Sequence, residues 1–211
     1  MKTTITLTFA LCLLLAPLAA VADSATGYWN LPQELSDENV TVTFKVDTTW
    51  HMVDGKTSKL SGKSWLSNPK DPKSVNLDLT LPVALFDTDS ESRDESLRES
   101  MAAKTYPEVK VHAAGVPDLC APSHLDAPQA VCSGNIPVQL TIRSTTQQME
   151  LPYTLRRNGD QYVIEGEKTF NWLSFGVDDP SIFIAKVKKD VTVRYQVTLR
   201  SLSPKVTWAS H

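Results

Sequence analysis

Antiparallel β-structure, built from about eight strands as an up-and-down barrel or a sandwich, is what this sequence predicts. Three observations carry the reading. Long segments alternate apolar and polar residues with period two, turn motifs separate them, and one polar helix interrupts the series. Strands that bury one face and wet the other belong to antiparallel sheets.

The 211 residues suffice for one domain with a real core and are too few for two comfortable ones. Residues 1–22 stand apart from that core. Lys2 precedes an apolar run from Ile5 to Leu15, then Pro17 and Ala20-Val21-Ala22, which is the pattern of a secretory signal peptide cleaved after Ala22. The run is shorter than a bilayer span. Cys12 follows Leu11, where a lipoprotein signal wants a small residue, which argues against lipid anchoring. The expectation is an exported protein, periplasmic or secreted, with a single domain over 23–211 and frayed ends at 23–27 and 203–211.

The elements follow in order. Val40, Val42, Phe44 and Val46 alternate with Thr41, Thr43 and Lys45, and Val75, Leu77, Leu79 and Leu81 alternate with Asn76, Asp78 and Thr80. Ile136, Val138, Leu140 and Ile142 repeat the pattern, as do Met149, Leu151, Tyr153 and Leu155. Val191, Val193, Tyr195, Val197 and Leu199 give the cleanest case. Shorter strands are read at 57–66, 108–116, 161–170 and 50–54. Turns are read at Asp54-Gly55, Asn68-Pro69 to Asp71-Pro72, Ser144 to Thr146 and Asn158-Gly159-Asp160. The segment 90–104 reads as a helix, with Ser92 and Glu95 as a capping box and Asp94 spaced to pair with Arg98. Leu97 and Met101 are its only large apolar residues, on one face. That stripe is too thin for a sandwich core and suits a helix laid apolar side down across a barrel mouth; a solvated crossover is the alternative. Tyr106-Pro107 ends the helix and restarts a strand.

The charge excludes some functions. Net charge is −3, or −4 once Lys2 is removed, with both signs interspersed. There is no basic footprint for nucleic acid. Gly-x-Ser-x-Gly, His-Glu-x-x-His, phosphate-binding glycine loops and Cys-x-x-Cys are absent. His51, His112, His124 and His211 are scattered, and Asp178-Asp179 beside Pro180 reads as turn chemistry. No enzyme, cofactor or metal is therefore expected. Beyond residue 22 the only cysteines are Cys120 and Cys132, and an even count in an oxidising compartment favours a disulfide. The competing reading, zinc on Cys120-x3-His124-x7-Cys132, lacks a fourth ligand.

Family features then appear in order along the chain. "VTFKVDTTWHMVDGKTSKLSG" carries V-x-F, Trp-His and Val-x-Gly elements, and "FDTDSESRDESLRESM" followed by "YPEVKV" carries an Arg-Asp helix and a Tyr-Pro strand. "LTIRSTTQQMELP" and "FNWLSFGVDDPS" followed by "VTVRYQVTL" supply a threonine-rich return and a closing Phe-Gly motif. Together, from about Trp29 to Leu199, these resemble the YceI-like family of exported, lipocalin-like proteins that bind polyisoprenoid and similar lipids. Ser96 and Met101 stand where better-known members carry a His and a Phe, and the Cys120–Cys132 hairpin departs from the pattern. The resemblance implies a binding protein whose eight-stranded barrel either is filled by side chains, leaving an interaction module, or holds one ligand. The inward candidates are Phe44, Trp50, Met52, Leu79, Leu140, Leu151, Tyr153, Phe170, Trp172, Phe175, Val193 and Tyr195, with Leu97 and Met101 above them. Arg93, Arg98 and Lys104 are the candidates for a polar mouth. The expected partner is an isoprenoid, a quinone-like or another amphiphilic lipid, met through transient contact with a membrane.

Overall fold

Alternation resolves into a single antiparallel sheet of ten strands in the computed structural model, which describes residues 30–120, 122–125, 130–181 and 186–200. The signal peptide, the frayed ends, Trp29, His211 and part of the loop between the two cysteines lie outside those residues. The strands are β1 (Gln33–Ser36), β2 (Val40–Thr48), β3 (Met52–Lys56), β4 (Ser61–Leu66) and β5 (Val75–Pro82). They continue as β6 (Glu108–Ala114), β7 (Val131–Ile142), β8 (Thr145–Asn158), β9 (Gln161–Asn171) and β10 (Val187–Arg200). One helix, α1 (Glu91–Ser100), joins β5 to β6.

Sheet order is β1-β4-β5-β6-β7-β8-β9-β10-β2-β3. From β4 to β10 each strand pairs with its neighbour in sequence, and the sheet then curls until β10 lies against β2. The curl makes a half-barrel with an apolar interior. It is tightened by an isolated bridge between Lys56 and Asp87, and by Asn30 N donating to Arg200 O at 2.8 Å. The expected fold class is correct, with ten strands in place of eight. The four residues of β1 bury only Leu35, too little to leave an alternating signature.

Two expected boundaries move for physical reasons. Asp54-Gly55 is not a turn: Gly55 lies inside β3 opposite Phe44, whose ring occupies the place a Cβ would need. The strand expected over 57–66 starts only at Ser61. Before it, Lys59 has a φ of 53°, and the amides of Lys59 and Leu60 donate to the Asp37 carboxylate at 2.6 and 3.0 Å.

The helix begins at Glu91 with Ser90 as N-cap, and no capping box forms. Asp94 turns inward instead. It accepts from Thr88 N at 2.9 Å and Thr88 Oγ1 at 2.6 Å, satisfying a buried amide that has no ladder partner. Arg98 pairs with Glu91 at 2.7 Å, not with Asp94. Ala102, at φ 49°, closes the turn after the helix.

At the opposite end of the curl, residues 115–120 and 122–125 fold over the interior. Gly115 N donates to Val75 O and Val116 N to Lys73 O at 2.9 and 2.8 Å, while Val116, Leu119 and Leu125 are buried. A disulfide joins Cys120 to Cys132 with a Cα separation of 6.1 Å, tying this base to β7. Closing a loop of that size stabilises the folded chain by about 3 kcal/mol on the chain-entropy account. Denaturant titration with and without reductant should show a loss of that order under reduction. An unchanged midpoint would show that the base holds without its crosslink.

Candidate functional site

The inner face of the half-barrel is set by register. Phe44 on β2 pairs with Val193 on β10, and Val193 pairs with Lys168 on β9. One step along, Val42 pairs with Tyr195, and Tyr195 with Gly166. These inward positions surround a cavity of about 300 Å³ whose accessible wall is apolar. That size stands at the lower end of small-molecule sites. Val42, Val46, Ile136, Leu140, Met149, Leu151 and Ile164 supply much of the wall, and Phe86 packs on Phe44 with ring centres 5.7 Å apart. Thr57 also faces the cavity, with its buried Oγ1 lacking a hydrogen-bond partner among the described residues.

Above the wall, α1 contributes Leu97 and its C-cap residue Met101, the latter only 6% exposed. A polar cluster holds this roof. Arg143, at the tip of the β7–β8 hairpin with a φ of 54°, donates to Gly176 O, pairs with Asp178 at 3.1 Å and lies over the Tyr106 ring at 5.7 Å. Asp178 N donates to Ser100 O at 3.0 Å, so hairpin, helix end and the 172–178 segment are tied together.

The β8–β9 ladder is incomplete. It runs only from Asn158↔Gln161 to Thr154↔Glu165. Beyond that point Pro152, which has no N–H, stands in β8. Toward the α1 end no further residues of the two strands are paired. Tyr195 reaches over Gly166 and donates from its hydroxyl to Pro152 O, bridging the unpaired stretch from β10. A side chain at residue 166 would run into both partners. Burial pushes the Tyr195 phenol up from its ordinary 10.0. Burial, then the Asp118 charge, raises Tyr153, whose hydroxyl donates to Asp118 O at 3.4 Å.

A family profile for the YceI-like domain matches residues 33–199. The chain belongs to the YceI-like family. Its fold is shared with BcnA of Burkholderia cenocepacia at a TM-score of 0.62 and 18% identity, over 75% of this chain and 95% of that one. A polyisoprenoid binding domain from Saccharophagus degradans, implicated in plant cell wall breakdown, superposes at 0.63 with 12% identity, over 81% and 99%. The Campylobacter jejuni YCEI protein gives 0.56 and 17%, over 72% and 86%. Identities this low speak to fold alone. A search of curated proteins finds no match.

Within this YceI-like fold, Phe44, Leu79, Leu140, Leu151, Tyr153, Phe170, Trp172, Val193 and Tyr195 all stand on the cavity wall, beside Leu97 and Met101. Trp50 and Met52 do not: they are 69% and 51% exposed. Met52 pairs with Asp47 and shares its outward face, whereas Val53, opposite Val46, takes the inward position. The turn before β3 resets the alternation. Phe175 is also off the wall. It is buried behind Phe170, edge-on with centres 5.5 Å apart, and supports the wall from outside.

The proposed polar mouth is not assembled as expected. Arg93 donates to Thr88 O at 2.6 Å, Arg98 is held by Glu91, and Lys104 is exposed; none lines the cavity. His51 is exposed, and His112 meets Asp78 at 2.7 Å across the β5–β6 ladder. The sequence reading missed Phe86, which precedes the helix, and Lys168, two residues before Phe170 and therefore on the same inward face. Period two from Phe170 would have found it.

A raised phenol favours the protonated folded state, so the stability it supports is intact below pH 10 and lost as pH climbs toward the folded value. Unfolding free energy should fall above pH 10 with a slope approaching about 1.4 kcal/mol per pH unit for each such tyrosine. Tyr195→Phe should flatten that slope. Equal slopes in the two proteins would mean that Tyr195 titrates freely.

Proposed function

We propose that this chain is an exported, non-enzymatic carrier that holds the tail of one isoprenoid, quinone-like or other amphiphilic lipid in the half-barrel. The observation that carries the reading is the apolar cavity beneath α1, walled by side chains from most of the strands and roofed by Leu97 and Met101. A filled barrel would leave no such volume. Membership of the YceI-like family and the fold shared with the polyisoprenoid binding domain of Saccharophagus degradans support a lipid as the occupant.

Energetics fit reversible binding. A tail burying about ten methylenes gains about 8 kcal/mol by transfer from water. Association and ordering offset part of this, leaving an affinity around the micromolar range. Such a carrier would meet a membrane transiently to load or unload.

Native mass spectrometry after gentle extraction should find a co-purifying lipid mass; a bare polypeptide, with no uptake of added isoprenoid, would favour an accessory module. The roof supplies a sharper test. Leu97→Asp should weaken retention of a fluorescent farnesyl probe at least tenfold while shifting the unfolding temperature by only a few degrees, because lid contacts govern escape and the ladders hold the core. Glu95→Gln with Glu99→Gln, on the exposed face, should leave retention intact. Normal retention by Leu97→Asp would reduce α1 to a crossover.

A further inference from the structure

Lys168 is the one charged residue among those lining the cavity. Its place in β9 is inward, between Gly166 and Phe170, and its cross-strand partner on β10 is the apolar Val193. The neighbouring outward residues, Glu165 and Glu167, are paired with Arg156 and Arg194. No carboxylate lines the cavity, and the Lys168 ammonium makes no hydrogen bond or ion pair with a described residue. The Tyr195 hydroxyl next to it is already spent on Pro152 O.

The accessible wall is apolar, so Lys168, half-buried, adds its aliphatic stem to it, and a side chain of this kind keeps its ammonium toward water at the edge of the apolar surface. There it can meet an anion that a ligand supplies. Lys168 also lies beyond the last paired residues of the β8–β9 ladder, so a headgroup held there leaves the tail to run along Leu151, Val193 and Phe44.

We propose that the Lys168 ammonium receives the anionic headgroup, phosphate or carboxylate, of a single-chain amphiphile at the unpaired end of the β8–β9 ladder. This rests on the carrier reading and narrows it to acidic lipids over neutral ones.

The test is a set of dissociation constants at fixed salt for two probe pairs, farnesyl monophosphate with farnesol and palmitate with hexadecanol. The unmodified protein should prefer the charged member of at least one pair by about tenfold or more, as a charge-assisted contact provides. The pair that shows the preference identifies the headgroup. Lys168→Met should bind the alcohols as before and lose the preference, and Lys168→Arg should keep it. Arg93→Met and Arg98→Met, whose partners lie elsewhere, should also keep it. A preference surviving in Lys168→Met, or none in the unmodified protein while alcohols still bind, would overturn the assignment and leave the carrier intact. Failure of every probe to bind would remove both.

Discussion

Because side chains alternate strictly along a strand, a slip of one residue in the β9–β10–β2 ladder would turn the aliphatic wall to water and carry charged residues inside. What pins the register is a pair of ring-over-glycine contacts. The Phe44 ring fills the space above Gly55, and the Tyr195 ring fills the space above Gly166. Any other pairing would put a side chain under one of those rings. The hollow interior, the seat of Leu97 and Met101 and the position of Lys168 all depend on those two absent Cβ atoms.

The second glycine does a further job. Where the hydrogen-bonded ladder of β8 and β9 stops short of Pro152, the Tyr195 hydroxyl supplies one bond across the break. The sheet thus stays curled with an incomplete seam. At the same end, the Arg143 cluster joins helix, hairpin and the 172–178 segment by charge and hydrogen bonds, beside the burial of Met101, Trp172, Phe175 and Val177.

Much of this was legible in the sequence, and the failures have specific causes. β2, β5, β7, β8 and β10 announce themselves because four or more successive positions on one face are apolar. β1 has one buried residue, Leu35, and nothing periodic to read. Trp50 and Met52 misled because size and apolarity suggest the interior, while a tight turn shifts the phase of β3. Asp94 and Arg98 have the spacing of a helical pair, yet Asp94 answers to Thr88, a demand set by tertiary structure. Lys168 was hidden by its own chemistry. Alternation places it inside, and charge argues for the surface.

The crosslinked base has a consequence for traffic. With residues 115–120 and 122–125 folded over one end and stapled to β7 through Cys132, the vessel resembles a bottle more than a pipe. For a lipid held as proposed, that end would be the closed one, and an occupant that enters tail first would back out head first. Donor and acceptor would then have to address the same end of the molecule, so the two cannot be engaged at once. Delivery becomes a matter of taking turns.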